Sequence, residues 1–227
     1  PIGPHPWTAV VAASESAATA ADLVLEGTRE IYALCRPPGH HAYADMAGGF
    51  CFLNNSAIAA QRLRGRHARV AILDVDVHHG NGTQGIFYDR DDVLTVSIHA
   101  DPADYYPYFW GHAHEAGNGR GTGFNLNLPL PLGSADAPWL AAGDIALERV
   151  RAFAPDALVV ALGLDASESD PLQGLKVTGD GFRAMAHRIA ALGLPTVLVQ
   201  EGGYLGDDLG RNLVAFLDGF GTGRSMA

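Results

Sequence analysis

Apolar residues come in short runs along this chain, separated by longer mixed segments. The runs fall at 31–34, 70–75, 93–98, 124–128, 157–162 and 195–199. Residues 70–75 are the clearest: an unbroken apolar run suits a central parallel strand covered on both faces. The segments between carry helix signals. Residues 8–26 are alanine-rich and include Val10, Val11, Leu23, Val24 and Leu25. Asn54, Asn55 or Ser56 can cap a helix reaching about Arg66, and 83–88 makes a helical turn. A helix starting at Asp136 or Ala137 tolerates Pro138 in its first turn and runs to Phe153. Thr178 caps a helix over 179–192, and a last helix covers 207–217. Strands alternate with helices, which predicts a single three-layer α/β domain around a mostly parallel sheet, with no internal repeat.

Two loops interrupt this rhythm. Residues 36–43, RPPGHHAY, hold two prolines and a glycine, so a stiff irregular loop presents His40 and His41 just beyond a strand. Residues 99–123 form a long loop with Tyr105, Tyr106, Tyr108, Phe109 and Trp110, a density that suits a pocket wall or an oligomer contact. Its glycines lack the Gly-Lys-Ser/Thr ending of a phosphate loop. His112, His114 and Glu115 in the same loop are expected to face solvent.

Composition narrows the function. The net charge is -10, which argues against a nucleic-acid surface and suits a cationic substrate, although solubility alone also explains it. Cys35 and Cys51 are the only cysteines, and no CxxC is present. A reducing, cytoplasmic compartment is the default for such a chain. No run of 18 apolar residues stands out as a membrane span, and no signal peptide is visible. The chain begins at Pro1.

The chemistry centres on AILDVDVHHGNGTQG, residues 71–85. Asp74, Asp76 and His78 are two apart, which places them on one face of an extended segment. Such residues often cap nearby backbone. Two carboxylates and an imidazole together are costly unless a cation joins them, and carboxylate and imidazole suit zinc. Asp165 follows the strand at 157–162, and Tyr204 follows the one at 195–199. In a parallel sheet all these strand ends share one edge. Asp76, His78 and Asp165 supply three ligands and leave a position for water and substrate, as a catalytic metal requires. His40 and His41 then make the acid–base pair, and Tyr204 a donor to a developing oxyanion. The set points to hydrolysis of a carbonyl compound.

Six segments, RPPGHHAYADMAGGFCFLNN, AILDVDVHHGNGTQ, VLTVSIHADP, YYPYFWG, ALGLDASESDPL and EGGY, resemble the zinc-dependent histone deacetylase superfamily. The match is nearest to bacterial acetylpolyamine amidohydrolases and class II-like deacetylases. It extends over about three quarters of the chain. The resemblance implies an arginase/deacetylase-like fold, zinc at Asp76, His78 and Asp165, and His41 as general base and acid. It makes His40 the electrostatic companion, supported by Asp74. Asn81 stands beside the second histidine in the class II-like manner and orients it. Gly49, Phe50 and Tyr106 match the substrate tunnel, with Gly49 leaving room beside the chain. Potassium is implied at Asp74 and Ser97 with carbonyls of Asp76, His78 and Ile98, and a second alkali ion at carbonyls near Phe87, Arg90, Val93 and Phe124.

Family members carry a longer segment before the histidine loop, where this chain has 39 residues. The expectation is one deacetylase-like catalytic domain over 1–227, shortened or truncated at its N-terminus, with a sheet edge that invites a partner and admits a homodimer. The substrate implied is a small acetylated amine. The alternatives are an acetyl-lysine deacetylase acting on proteins and a catalytically silent scaffold. An arginase-like ureohydrolase is disfavoured because Ala-Ser-Glu follows Asp165 where a second metal needs an aspartate.

Overall fold

The computed structural model describes residues 6–224. The expected domain limits, 1 and 227, lie outside them. Six strands form one sheet: β1 (Glu30–Ala33), β2 (Val70–Asp74), β3 (Val93–Ala100), β4 (Asn125–Leu130), β5 (Ala157–Leu162) and β6 (Thr196–Gln200). Every pairing is parallel, and the order is β1-β6-β5-β2-β3-β4. The sheet is therefore wholly parallel, beyond the "mostly parallel" expectation.

Residue alternation sorts the side chains onto two covered faces. Val70 and Ile72 of β2 join one core with Val159 and Val197, under α1 (Pro6–Leu25) and α2 (Asn55–Leu63). Ala71 and Leu73 join the other with Val160 and Leu198, under α4 (Asp136–Phe153), α5 (Gly179–Ala190) and α6 (Leu209–Arg224). A short α3 (Asn81–Phe87) adds Phe87 to the first core. On the second face, Trp139 and Phe182 are fully buried and meet edge to face at 5.5 Å. Truncating a ring of that kind costs about 3–5 kcal/mol.

Local chemistry explains most boundaries. The Asn54 carboxamide accepts from the Ala57 N–H at the start of α2, and the Thr178 hydroxyl accepts from Gly181 at the start of α5. α2 ends at Leu63, short of the expected Arg66, in a turn where the Arg66 and His67 N–H groups both donate to the Leu63 carbonyl. β3 runs on to Ala100 because β4 pairs with it that far. One expectation needs correcting. α1 has 20 residues, and an 18-residue window within it reaches a mean hydropathy of 1.3, enough by length and composition to cross a membrane. Its alanine face, Ala13, Ala17, Ala20 and Ala21, packs into the first core.

The strand order fixes where a site can form. From β2 the chain proceeds outward to β3 and β4, then crosses back to β5 on the other side of β2 and on to β6. The carboxyl ends of β2 and β5 thus flank the switch point, where the diverging connections leave a crevice.

Candidate active site

The turn after β2 supplies two of the grouped side chains. β2 stops at Asp74, so strand alternation does not align Asp76 and His78, contrary to the sequence reading. Side-chain-to-backbone hydrogen bonds do. Asp74 Oδ1 accepts from the Asp76 N–H at 3.1 Å, and Asp76 Oδ1 accepts from the His78 N–H at 2.8 Å. Each aspartate folds the next two residues back over itself. Asp165 follows β5, and its Oδ1 accepts from the Val77 N–H at 3.1 Å, which ties the two turns together.

Ligating atoms of Asp76, His78 and Asp165 lie within 4.8 Å of one another, the only such cluster among the described residues. His78 Nδ1 is 3.0 Å from Asp76 Oδ1 and 3.2 Å from Asp165 Oδ2. By geometry the contact with Asp76 is a hydrogen bond and the approach to Asp165 an ion pair. Asp165 Oδ2 is buried and accepts no hydrogen bond. Burial and the Asp76 charge push Asp165 up to about 6. Burial, the largest influence on His78, opposes its protonation, yet Asp165 and Asp76 together raise it to about 10. A proton on His78 thus stands in for a cation between the carboxylates. An unpartnered buried oxygen, an imidazole and a second carboxylate fit a divalent ion such as zinc. The chain leaves space beside them: a Cβ at Gly202 would strike both Asp165 and Asp76. The Gly202 N–H instead donates to Asp76 Oδ2 at 2.8 Å.

The two histidines stand side by side, ring centroids 4.1 Å apart, in opposite electrostatic states. His40 Nδ1 donates to Asp74 Oδ2 at 2.8 Å. Burial works against its charge, but Asp76 and Asp74 raise it well above an ordinary histidine. His41 is pushed well below, first by burial and then by the charge on His40. The Asn81 amide orients it. Asn81 Nδ2 donates to the Tyr43 hydroxyl at 3.3 Å, leaving Oδ1 to accept from His41 Nδ1 at 2.6 Å. Neutral His41 therefore carries its proton on Nδ1 and keeps a lone pair on Nε2.

A recess of about 360 Å³ opens over the cluster and is lined by His40, His41, Phe50, Tyr106 and Tyr204 among others. A larger hollow of about 540 Å³ lies beside Tyr43 and Ile58, and Asp45 is its only carboxylate. Chemistry, not size, marks the site. Tyr106 meets His41 edge-on at 5.0 Å. Phe50 is 74% exposed at the mouth. Gly49 also lines the recess, and a Cβ there would strike the His41 imidazole. The Tyr204 N–H donates to Asp170 Oδ2 at 3.3 Å, and burial with the Asp165 charge pushes its hydroxyl up to about 12, so it remains a donor. Asp74 faces Ser97 across the β2–β3 register. His99 Nε2 donates to the Gly111 carbonyl at 2.8 Å, so Nδ1 accepts from the Ser97 hydroxyl at 2.8 Å. The Ser97 oxygen keeps its lone pairs.

Several supporting residues escaped sequence reasoning. Glu201 is buried and accepts from the Gly39 N–H at 2.6 Å, the His40 N–H at 3.0 Å and the Ser56 hydroxyl at 2.7 Å. It fixes the backbone of the histidine loop. Tyr105 stacks on His78 at 5.1 Å and donates to the Leu172 carbonyl at 3.2 Å. Glu115 is half-buried, not solvent-facing. It accepts from the Gly111 N–H, Gln84 and Asn127 at 2.8, 2.8 and 3.1 Å, pinning the aromatic loop to α3 and β4. The EGGY segment held Glu201 in view; Glu115 stands in the long loop, where the sequence reading expected it to face solvent.

With this geometry, the comparison with protein families is decisive: residues 1–220 match the model of the histone deacetylase domain. The chain belongs to the histone deacetylase family. It is 55% identical over 222 residues to the acetylpolyamine amidohydrolase of Burkholderia pseudomallei, covering 98% of this chain and 65% of that one. It is 47% identical to the acetylpolyamine amidohydrolase of Mycoplana ramosa, covering 96% and 64%. Among solved structures, an acetylpolyamine aminohydrolase from Burkholderia pseudomallei superposes with a TM-score of 0.96 at 55% identity, covering 97% of this chain and 65% of that one. The HDA15 HD domain superposes with a TM-score of 0.90 at 35% identity, covering 96% and 65%. The chain thus spans just under two thirds of the length of these relatives. The arginase/deacetylase-like architecture expected from the sequence is the one found.

Proposed function

We propose that this chain is a deacetylase-like catalytic domain that removes acetyl groups from small acetylated amines, acetylpolyamines above all. The observation that carries the reading is the buried, unpartnered Asp165 oxygen facing Asp76 and His78 at the floor of a recess that His41 and Tyr204 also line. The similarity to two proteins named acetylpolyamine amidohydrolase supports the substrate class.

Asp76, His78 and Asp165 would hold zinc. When bound, zinc polarises the amide carbonyl and makes water a nucleophile near neutral pH. The rest falls to side chains. His41 Nε2 takes the proton from the attacking water and returns it to the departing amine, which leaves neutral. Its depressed basicity leaves Nε2 unprotonated and free to accept, and Asn81 keeps Nδ1 out of the exchange. His40, whose Nδ1 donates to Asp74, stands beside His41 as its electrostatic companion. Tyr204 donates its hydroxyl to the carbonyl oxygen as charge builds there. Phe50 and Tyr106 flank the methylene chain. Asp74 and the free lone pairs of Ser97 suit a potassium ion. The two buried free cysteines, Cys35 and Cys51, agree with a cytoplasmic setting.

The test compares acetylated putrescine, cadaverine and spermidine with an acetyl-lysine peptide on zinc-loaded protein. Higher kcat/KM on the acetylated amines supports the reading. Preference for the peptide would transfer the function to protein deacetylation, and no turnover of any of them would leave a scaffold.

A further inference from the structure

Four non-glycine residues among those described have left-handed backbone: Phe50, Tyr108, Ala154 and Gln173. Ala154 has a structural reason, because it caps the C-terminus of α4. Tyr108, at φ 66°, has none of that kind. It is the central residue of a three-residue turn closed by the Phe109 N–H onto the Pro107 carbonyl at 2.8 Å, a strained turn that glycine makes at less cost. Nor does burial offset the strain, since Tyr108 is 60% exposed. A bulky residue kept in a disfavoured conformation and left in water points to a role outside the fold.

Its one aromatic neighbour indicates that role. Tyr108 stands edge-on to Tyr106 at 6.3 Å and 88°, and Tyr106 in turn lies 5.0 Å from His41 and 6.1 Å from His78. The rings form a path from the reacting centre to solvent, with Tyr108 one step beyond the recess. The only carboxylates lining that recess are Asp76 and Asp165, at its floor. Between those acids and the mouth, the recess presents the rings of Phe50, Tyr106 and Tyr204 to a cationic group at the far end of a bound chain. Ring faces attract ammonium groups by their quadrupole.

We propose that Tyr108 is a specificity-determining residue whose exposed ring face receives the distal ammonium of an acetylated diamine or polyamine. The proposal rests on the amine-deacetylase reading above. It is tested with zinc-loaded wild type, Tyr108→Gly and Tyr108→Phe. Each is assayed on an acetylated diaminopentane and on an uncharged isostere with a methyl group in place of the ammonium. Long-range attraction from the net charge cancels between variants. The ratio of kcat/KM for the charged over the uncharged substrate is expected to fall about 2-fold to 5-fold in Tyr108→Gly. It should hold in Tyr108→Phe, which keeps the ring face. The Tm of Tyr108→Gly should match or exceed that of wild type, because strain is relieved. An unchanged ratio, or a less stable glycine variant, overturns the inference while leaving the deacetylase reading intact. If wild type hydrolyses neither compound, that reading fails by itself. Calorimetry with an alkyl hydroxamate, with and without a terminal ammonium, then decides: equal affinity of the two for wild type overturns the role of Tyr108, and a preference for the ammonium lost in Tyr108→Gly supports it.

Discussion

Replacing Glu201 should separate the scaffold of the histidine loop from its chemistry. The carboxylate accepts from two backbone N–H groups, of Gly39 and His40, and from the Ser56 hydroxyl. In Glu201→Ala the two N–H groups lose their acceptor in a buried place, at about 1–3 kcal/mol each, so a loss of roughly 2–6 kcal/mol is expected. Glu201→Gln keeps the shape and one acceptor oxygen and should cost about 1 kcal/mol near pH 5. The difference must then depend on pH. Burial raises the Glu201 carboxyl to about 7, above the usual glutamate range. A group whose pKa is higher in the folded state holds its proton there. The stability it contributes is present below the unfolded value and is lost as pH rises through about 7. Glutamine cannot ionise. The gap should therefore move in favour of Glu201→Gln by roughly 2–3 kcal/mol between about pH 5 and about pH 8. Urea unfolding of the three proteins at both pH values measures this. An alanine variant within about 1 kcal/mol of wild type, or a glutamine gap that ignores pH, would falsify the claim that this carboxylate holds the loop.

Three further outcomes follow from the site. Chelation should lower the Tm of wild type but not of Asp165→Asn, and elemental analysis should find little zinc in the variant; full zinc retention would exclude this ligand set. Tyr204→Phe should fold normally, keep its metal and lose about 100-fold to 1000-fold in turnover with a much smaller change in substrate affinity. Near-wild-type rates would mean that Tyr204 only packs. Glu115→Ala should free the aromatic loop at a cost of about 2 kcal/mol and expose Trp110, which lies between Tyr43 and Tyr88 at 6.1 and 5.3 Å. A fluorescence spectrum identical to wild type would show that Glu115 does not pin the loop.

The strands and the grouped residues were legible because they rest on local signals. Apolar runs marked β2 and β5, and the residues just past their ends, Asp76, His78 and Asp165, had to share an edge once the sheet was parallel. What stayed hidden depends on partners distant in sequence. Glu201 meets Gly39 across 162 positions, and nothing in the intervening sequence announces it. The last helix was read to end at residue 217, yet α6 runs to Arg224 through GFGTGR, a stretch that lacks helix propensity. Packing overrides propensity here: a Cβ at Gly219 would strike the Arg183 carbonyl on α5. The reading of Asp74, Asp76 and His78 as strand neighbours reached the right cluster by the wrong route, since side-chain turns set their positions.

The strand order also governs how the protein emerges from a ribosome. Among the described strands β1 precedes all the others in the chain, but it pairs only with β6, which follows all of them. The β2, β3 and β4 strands can assemble as they appear, each beside its predecessor. β1 and the histidine loop behind it must wait until β6 is made, with the Glu201 anchor arriving directly after it. Asp76 and His78 are likewise exposed long before Asp165 exists to complete their cluster. The cluster of Asp76, His78 and Asp165 thus waits for the residue behind β5, and the histidine loop for Glu201 behind β6.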